Sequence, residues 1–135
     1  MRSTAAIALI FLASSAPVLA RENCGDLTNQ TDMNICAGKA YQTSDAELNR
    51  LYKRIEQRLK GDADTTRLLV SAQKAWIAFR DAECEFSSSA VAGGSAQPFI
   101  RSSCLDGMTQ TRIDNLKTYL NCQGGDMSCP VPAGN

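Results

Sequence analysis

Three stretches of the chain repeat apolar residues at helical spacing, and no stretch alternates apolar and polar residues as a strand does. The first runs from about Gln30 to Lys60. Met33, Ala37, Tyr41, Leu48, Leu51, Tyr52, Ile55 and Leu59 fall on one side of it. Thr28, Asn29 and Thr31 are candidate caps at its start. Ser44 followed by Glu47 fits a capping box, so the stretch reads as one long helix or as two broken near Thr43. Gly61-Asp62 ends it. The second helix is expected from Thr65 to about Phe86, capped by Asp64, with Leu68, Leu69, Ala72, Ala75, Trp76 and Phe79 facing inward. The third starts near Pro98, which suits a first helical turn, and reaches about Leu120. Its apolar face holds Leu105, Met108, Ile113, Leu116, Tyr119 and Leu120.

The segments between the stripes are of two kinds. Ser87–Gln97 consists mostly of Ser, Ala and Gly, which pack no core, and reads as a mobile loop. The tail 121–135 is punctuated by Gly and Pro and reads as irregular. Short connections between amphipathic helices predict an all-α fold, a small antiparallel bundle of three helices, or four if the first one breaks. At 135 residues the chain holds one domain.

The first twenty residues stand apart from this pattern. Arg2 precedes the apolar run Ala5–Leu12, and Val18-Leu19-Ala20 offers a small-residue cleavage site, the layout of a secretory signal peptide. The run is too short to span a bilayer, which takes about 20 residues. Residues 21–120 are then the helical domain of an exported product. No lipid-anchor box precedes Cys24, so no membrane attachment is expected after cleavage. Removing Arg2 leaves 13 basic and 14 acidic side chains, and no basic field points to nucleic acid.

Six cysteines, Cys24, Cys36, Cys84, Cys104, Cys122 and Cys129, all follow the signal segment. An even number in a small exported domain reads as a disulfide framework. Sequential pairing places Cys84, near the end of helix 2, against Cys104, near the start of helix 3. The alternative of Cys36–Cys84 with Cys24–Cys104 also matches helix heights, so both stay open. There is no CxxC pair and no His at all. That removes the commonest general base and metal ligand, along with serine triads and cysteine–histidine dyads. Neither a metal nor a cofactor is expected.

Among the carboxylates, Asp81 and Glu85 face one way on one helix and Asp81 and Glu83 diverge, so neither pair straddles a substrate as a glycosidase requires. Catalysis is therefore not expected. Arg80, four residues after Trp76, is placed to lie over the indole.

The residues also carry a resemblance. Cys24, Met33-Asn34-x-Cys36, Tyr41 and Asp45-x-Glu47-Leu48-Asn49-x-x-Tyr52 come first. Ala72-Gln73-x-x-Trp76-x-x-Phe79-Arg80-Asp81-x-x-Cys84 and Gly94-Ser95 follow. Cys104-Leu105-x-x-x-Thr109-x-x-Arg112-x-x-x-Leu116 completes the string. This string resembles the LprI-type lysozyme-inhibitor family of small exported bacterial helical proteins. The resemblance implies a periplasmic or secreted binding protein whose partner is lysozyme or another envelope protein. It also implies structural roles for Gln73, Trp76, Phe79, Arg80 and Asp81. Cys122 and Cys129 form an extra pair beyond the family-type cysteines. The candidate partner contact is the thin loop with Gly93, Gly94 and Ser95, with Arg80 and Arg101 near its base to supply a cation.

Overall fold

A computed structural model describes residues 23–134; the expected signal segment lies outside the described residues. Three helices make up the fold: α1 (Gln30–Arg58), α2 (Ala63–Ser87) and α3 (Gln97–Leu120). Single 3-10 turns lie at Cys24–Asp26 and Ser89–Val91, and no strand occurs among the described residues. The chain is all-α, as the periodicity predicts.

α1 does not break near Thr43, so there are three helices rather than four. Its hydroxyls bond back into the helix: Thr43 donates to the Lys39 carbonyl and Ser44 to the Tyr41 carbonyl, both at 3.0 Å. Glu47 accepts from Arg50 at 2.6 and 2.7 Å, so its carboxylate is engaged toward the next turn. Of the three candidate caps, Asn29 is the one used, accepting from the Asp32 N–H at 2.8 Å.

α2 begins two residues earlier than expected. Asp62, not Asp64, caps it, accepting from the Thr65 N–H at 3.0 Å after a left-handed turn at Gly61 (φ +103°). That backbone bond holds the Asp62 carboxyl below its usual range. Asp64 instead pairs with Arg67 at 3.2 Å.

Cross-helix bonds fix the directions. Along α1 and α2, Leu59 meets Thr66 and Asp45 meets Arg80, so one numbering falls as the other rises. Thr109 on Arg80 and Arg112 on Gln73 show the same for α2 and α3. α1 and α3 run alongside each other: Asn34 bonds Ser95 at one end, and Arg58 bonds Leu120 at the other.

The tightest packing is between α1 and α3. Ala37 and Ser44 on α1 and Thr109 on α3 are fully buried small side chains, which let two backbones approach closely. Toward the other end Leu48, Leu51, Ile55 and Leu59 interlock with Ile113, Leu116 and Leu120. The irregular tail contributes too, since Val131 folds back into this cluster.

The largest correction concerns α2. Its buried positions are Gln73, Arg80 and Cys84, with Leu69 and Trp76 partly covered. Leu68 and Phe79, expected inside, are 61% and 59% exposed, and Ala72 and Ala75 are exposed with them. The inward stripe passes through Gln73 and Arg80 because both find polar partners between the helices.

Candidate functional site

The motif residues meet where the three helices converge. Arg80, on the inward face of α2, is only 5% exposed. Its guanidinium donates to Asp81 at 2.9 Å, to Asp45 of α1 at 3.2 Å, and to the Thr109 hydroxyl of α3 at 3.5 Å. It lies over the Trp76 ring at 5.1 Å and the Tyr41 ring at 5.4 Å, so the helical spacing of Trp76 and Arg80 does place cation on indole. Burial works against its charge, but the Asp81 hydrogen bond, Tyr41 and Asp45 outweigh it and hold Arg80 protonated above its ordinary value.

Arg112 of α3 flanks the same indole at 5.8 Å and donates to the Gln73 side-chain oxygen at 3.1 Å. Burial lowers its pKa, with Tyr119 opposing. Burial raises the Tyr41 hydroxyl, with Arg80 pulling the other way.

Gln73, Trp76, Arg80 and Asp81 are thus brought together as one network spanning all three helices. Phe79 is not part of it and points away into solvent. Tyr41, Asp45, Thr109 and Arg112 complete the network. They stand in the motif string, but the spacing within one helix carries no sign of a partner on another. Chemically the cluster is a lock: Asp45, at Nη1, and Asp81, at Nε and Nη2, share the one cation of Arg80. Among the described residues no group of acidic or thiol side chains could hold a metal ion.

The segment 87–97, read from its composition as a mobile loop, is built of consecutive turns. Turn follows turn: the N–H groups of Val91, Ala92, Gly94 and Gln97 donate to the carbonyls of Ser88, Ser89, Val91 and Gly94. Gly93 sits in the left-handed region (φ +75°) and its N–H donates to Gln97 Oε1 at 2.8 Å. Ser88 is fully buried, its hydroxyl donating to the Cys84 carbonyl at 2.8 Å. Asn34 of α1 donates to the Ser95 carbonyl at 3.0 Å. The base is pinned by Cys84–Cys104 (Cα–Cα 5.5 Å). Cys24–Cys36 and Cys122–Cys129 complete a sequential pairing, which removes the alternative of Cys36–Cys84 with Cys24–Cys104. Arg80 cannot serve the loop as a cation, because it is enclosed in the network. Arg101 does lie at the loop base, where it pairs with Glu85 at 3.1 Å and keeps 41% of its side chain exposed.

The family model described as lysozyme inhibitor LprI matches residues 21–116, which takes in the network, the loop and four of the six cysteines. The chain belongs to the LprI family. Two relatives are similar along much of their length. The uncharacterized protein R02472 of Rhizobium meliloti is 34% identical over 89% of this chain and 96% of its own. The uncharacterized protein YecT of Escherichia coli is 33% identical over 70% of this chain and 68% of its own. No solved structure matches this LprI-family chain. The Cys122–Cys129 bridge lies beyond the matched span.

Proposed function

We propose that the protein is an exported binding protein of the bacterial envelope that inhibits lysozyme-type muramidases by occupying their cleft. The observation that carries this reading is the match to the lysozyme-inhibitor family along residues 21–116. Three disulfides and an apolar, signal-like start are consistent with life outside the cytoplasm, in the periplasm or secreted. Its action is binding rather than turnover.

The proposed contact is the turn-built end at Ser89–Ser95 together with Arg101. A lysozyme cleft presents one protonated and one ionised carboxyl group between walls shaped for sugar. Gly93 and Gly94 keep the projection thin, and serine hydroxyls replace sugar hydrogen bonds. Arg101 supplies the cation for the ionised carboxylate. The turns and the Cys84–Cys104 bridge order the end before binding, which lowers the entropy cost of association.

The test is loss of turbidity of a peptidoglycan suspension by lysozyme, with and without purified, oxidised protein. Inhibition is the expected result, and a normal clearing rate at saturating protein refutes the reading. Arg101→Ala is expected to weaken inhibition by about tenfold. Replacing Ser89–Ser95 by a Gly-rich linker, with buried Ser88 kept, is expected to abolish it. If wild type inhibits and both folded variants inhibit equally well, the contact lies elsewhere on the molecule.

A further inference from the structure

Between the first half of α2 and the last turns of α1 and α3 lies a cavity of about 210 Å³. Ile55 and Leu59 of α1, Leu69 of α2 and Tyr119 of α3 line it, with Arg112. Pro130 and Val131 complete the wall directly after the Cys122–Cys129 bridge, and both lie beyond the span matched by the family model.

The shape limits what fits. On α2 the lining runs from Thr65 to Ala72, about 10 Å at 1.5 Å per residue. A volume of 210 Å³ over that length has a mean section of about 20 Å², which suits one extended alkyl chain. An apolar cavity of roughly 150 Å³ stays dry and takes a benzene-sized guest, whereas drug-sized ligands need about 300–1,000 Å³. The guest is therefore small, apolar along most of its length and single-chained.

Arg112 sets its charge. Arg50, Arg67, Arg80 and Arg101 each pair with a carboxylate. Arg112 is half-buried, yet no carboxylate among the described residues pairs with it. Its Nε donates to Gln73 and its guanidinium lies 5.8 Å from the Trp76 ring centre, while neither Nη has an acceptor among the described residues. A planar guanidinium with both Nη groups unused matches a carboxylate. Since Gln73 holds Arg112, the cation stands at the Ala72 end of the cavity, with the apolar wall running away from it toward Leu59.

We propose that this cavity binds a free medium-chain carboxylate, with its alkyl chain between the helices and the tail and its head on Arg112. The proposal is independent of the lysozyme reading, whose contact lies at the opposite end of the bundle, where Asn34 meets Ser95.

Trp76 is the single tryptophan and lies against Arg112, so its fluorescence reports on the head end. Octanoate titrated from about 10 µM to 10 mM into the purified, oxidised protein is expected to give a saturable change with Kd below about 1 mM. Hexanoate is expected to bind about 15-fold more weakly, at about fourfold per methylene. The neutral 1-octanol is expected to bind about tenfold more weakly than octanoate. Arg112→Gln is expected to erase the preference for octanoate over octanol, and Arg112→Lys to keep part of it. Ala72→Phe fills the head end from a solvent-exposed position that takes no part in the network. It is expected to abolish binding with helicity and lysozyme inhibition unchanged, so the test stands even where an Arg112 variant unfolds. The absence of a saturable response overturns the proposal. So does equal affinity for octanoate and octanol, or full binding by Ala72→Phe. Protein that sediments with phosphatidylglycerol vesicles but does not respond to octanoate overturns it in favour of a membrane surface.

Discussion

A guanidinium withdrawn from water is tolerated only where its donors find acceptors and its faces find packing. Arg80 has both: two carboxylates and a hydroxyl at its edge, and two aromatic rings against it. Truncation to Arg80→Ala removes the shared partner of Asp45 and Asp81 and the packing on Trp76 and Tyr41. Breaking a buried ion pair typically costs about 3–5 kcal/mol. Asp45 and Asp81 keep 38% and 46% of their side chains exposed and can take up water, which places the expected cost near the lower end. Arg80→Lys is expected to recover only part, because an ammonium cannot bridge both carboxylates while lying flat on the rings. Urea denaturation midpoints for the two variants check both expectations. In the sequence, the spacing of Trp76 and Arg80 makes their contact legible within one helix. The partners on the other helices, Asp45, Tyr41 and Thr109, become visible only once the helices are packed.

At the scale of the element, apolar periodicity reads α1 and α3 well and α2 badly, for one physical reason. Ala37, Leu48, Leu51, Ile55 and Leu59 are buried on α1, and Leu105, Ile113, Leu116 and Leu120 on α3, as their stripes predict. On α2 the most apolar side is not the inner side. Pattern reading assumes that polar side chains face water, and Gln73 and Arg80 face a polar network instead. The turns of the 87–97 loop escape pattern reading for a related reason. Its small residues lack bulk for a core, but their backbone and hydroxyl groups satisfy one another in consecutive turns.

The helices also keep glycines that packing does not require. Gly38 in α1 and Gly107 in α3 have ordinary helical backbones, and a Cβ added at either position meets nothing within 4 Å. Replacing an unconstrained helical Gly by Ala stabilises by about 1 kcal/mol through the unfolded chain's lost freedom. Gly38→Ala and Gly107→Ala are each expected to raise the melting temperature by about 4 °C, and thermal unfolding followed by circular dichroism reads the shift. Gly93→Ala is expected to lower it, because its φ of +75° strains any residue with a Cβ.

Over the whole molecule, the sequential disulfides divide their work from the core. Cys24–Cys36 ties the first turn to α1, Cys84–Cys104 ties α2 to α3, and Cys122–Cys129 closes the bend that brings Val131 inward. No bridge joins α1 to α3, whose contact is held by interlocking Leu and Ile side chains. By loop length, bridges separated by 12, 20 and 7 residues remove unfolded-state entropy equivalent to about 2.8, 3.3 and 2.4 kcal/mol. Together they contribute roughly 8 kcal/mol, against a total stability of about 5–15 kcal/mol for a domain. Full reduction is therefore expected to unfold the protein or leave it marginal at 37 °C. Loss of the tail bridge alone, in Cys122→Ala with Cys129→Ala, is expected to leave it folded with its melting lowered by several degrees. Far-ultraviolet circular dichroism with and without dithiothreitol separates the two cases. A reduced protein that keeps its helicity and melts within a few degrees of the oxidised form would show that the apolar contact of α1 with α3 carries the fold without the bridges.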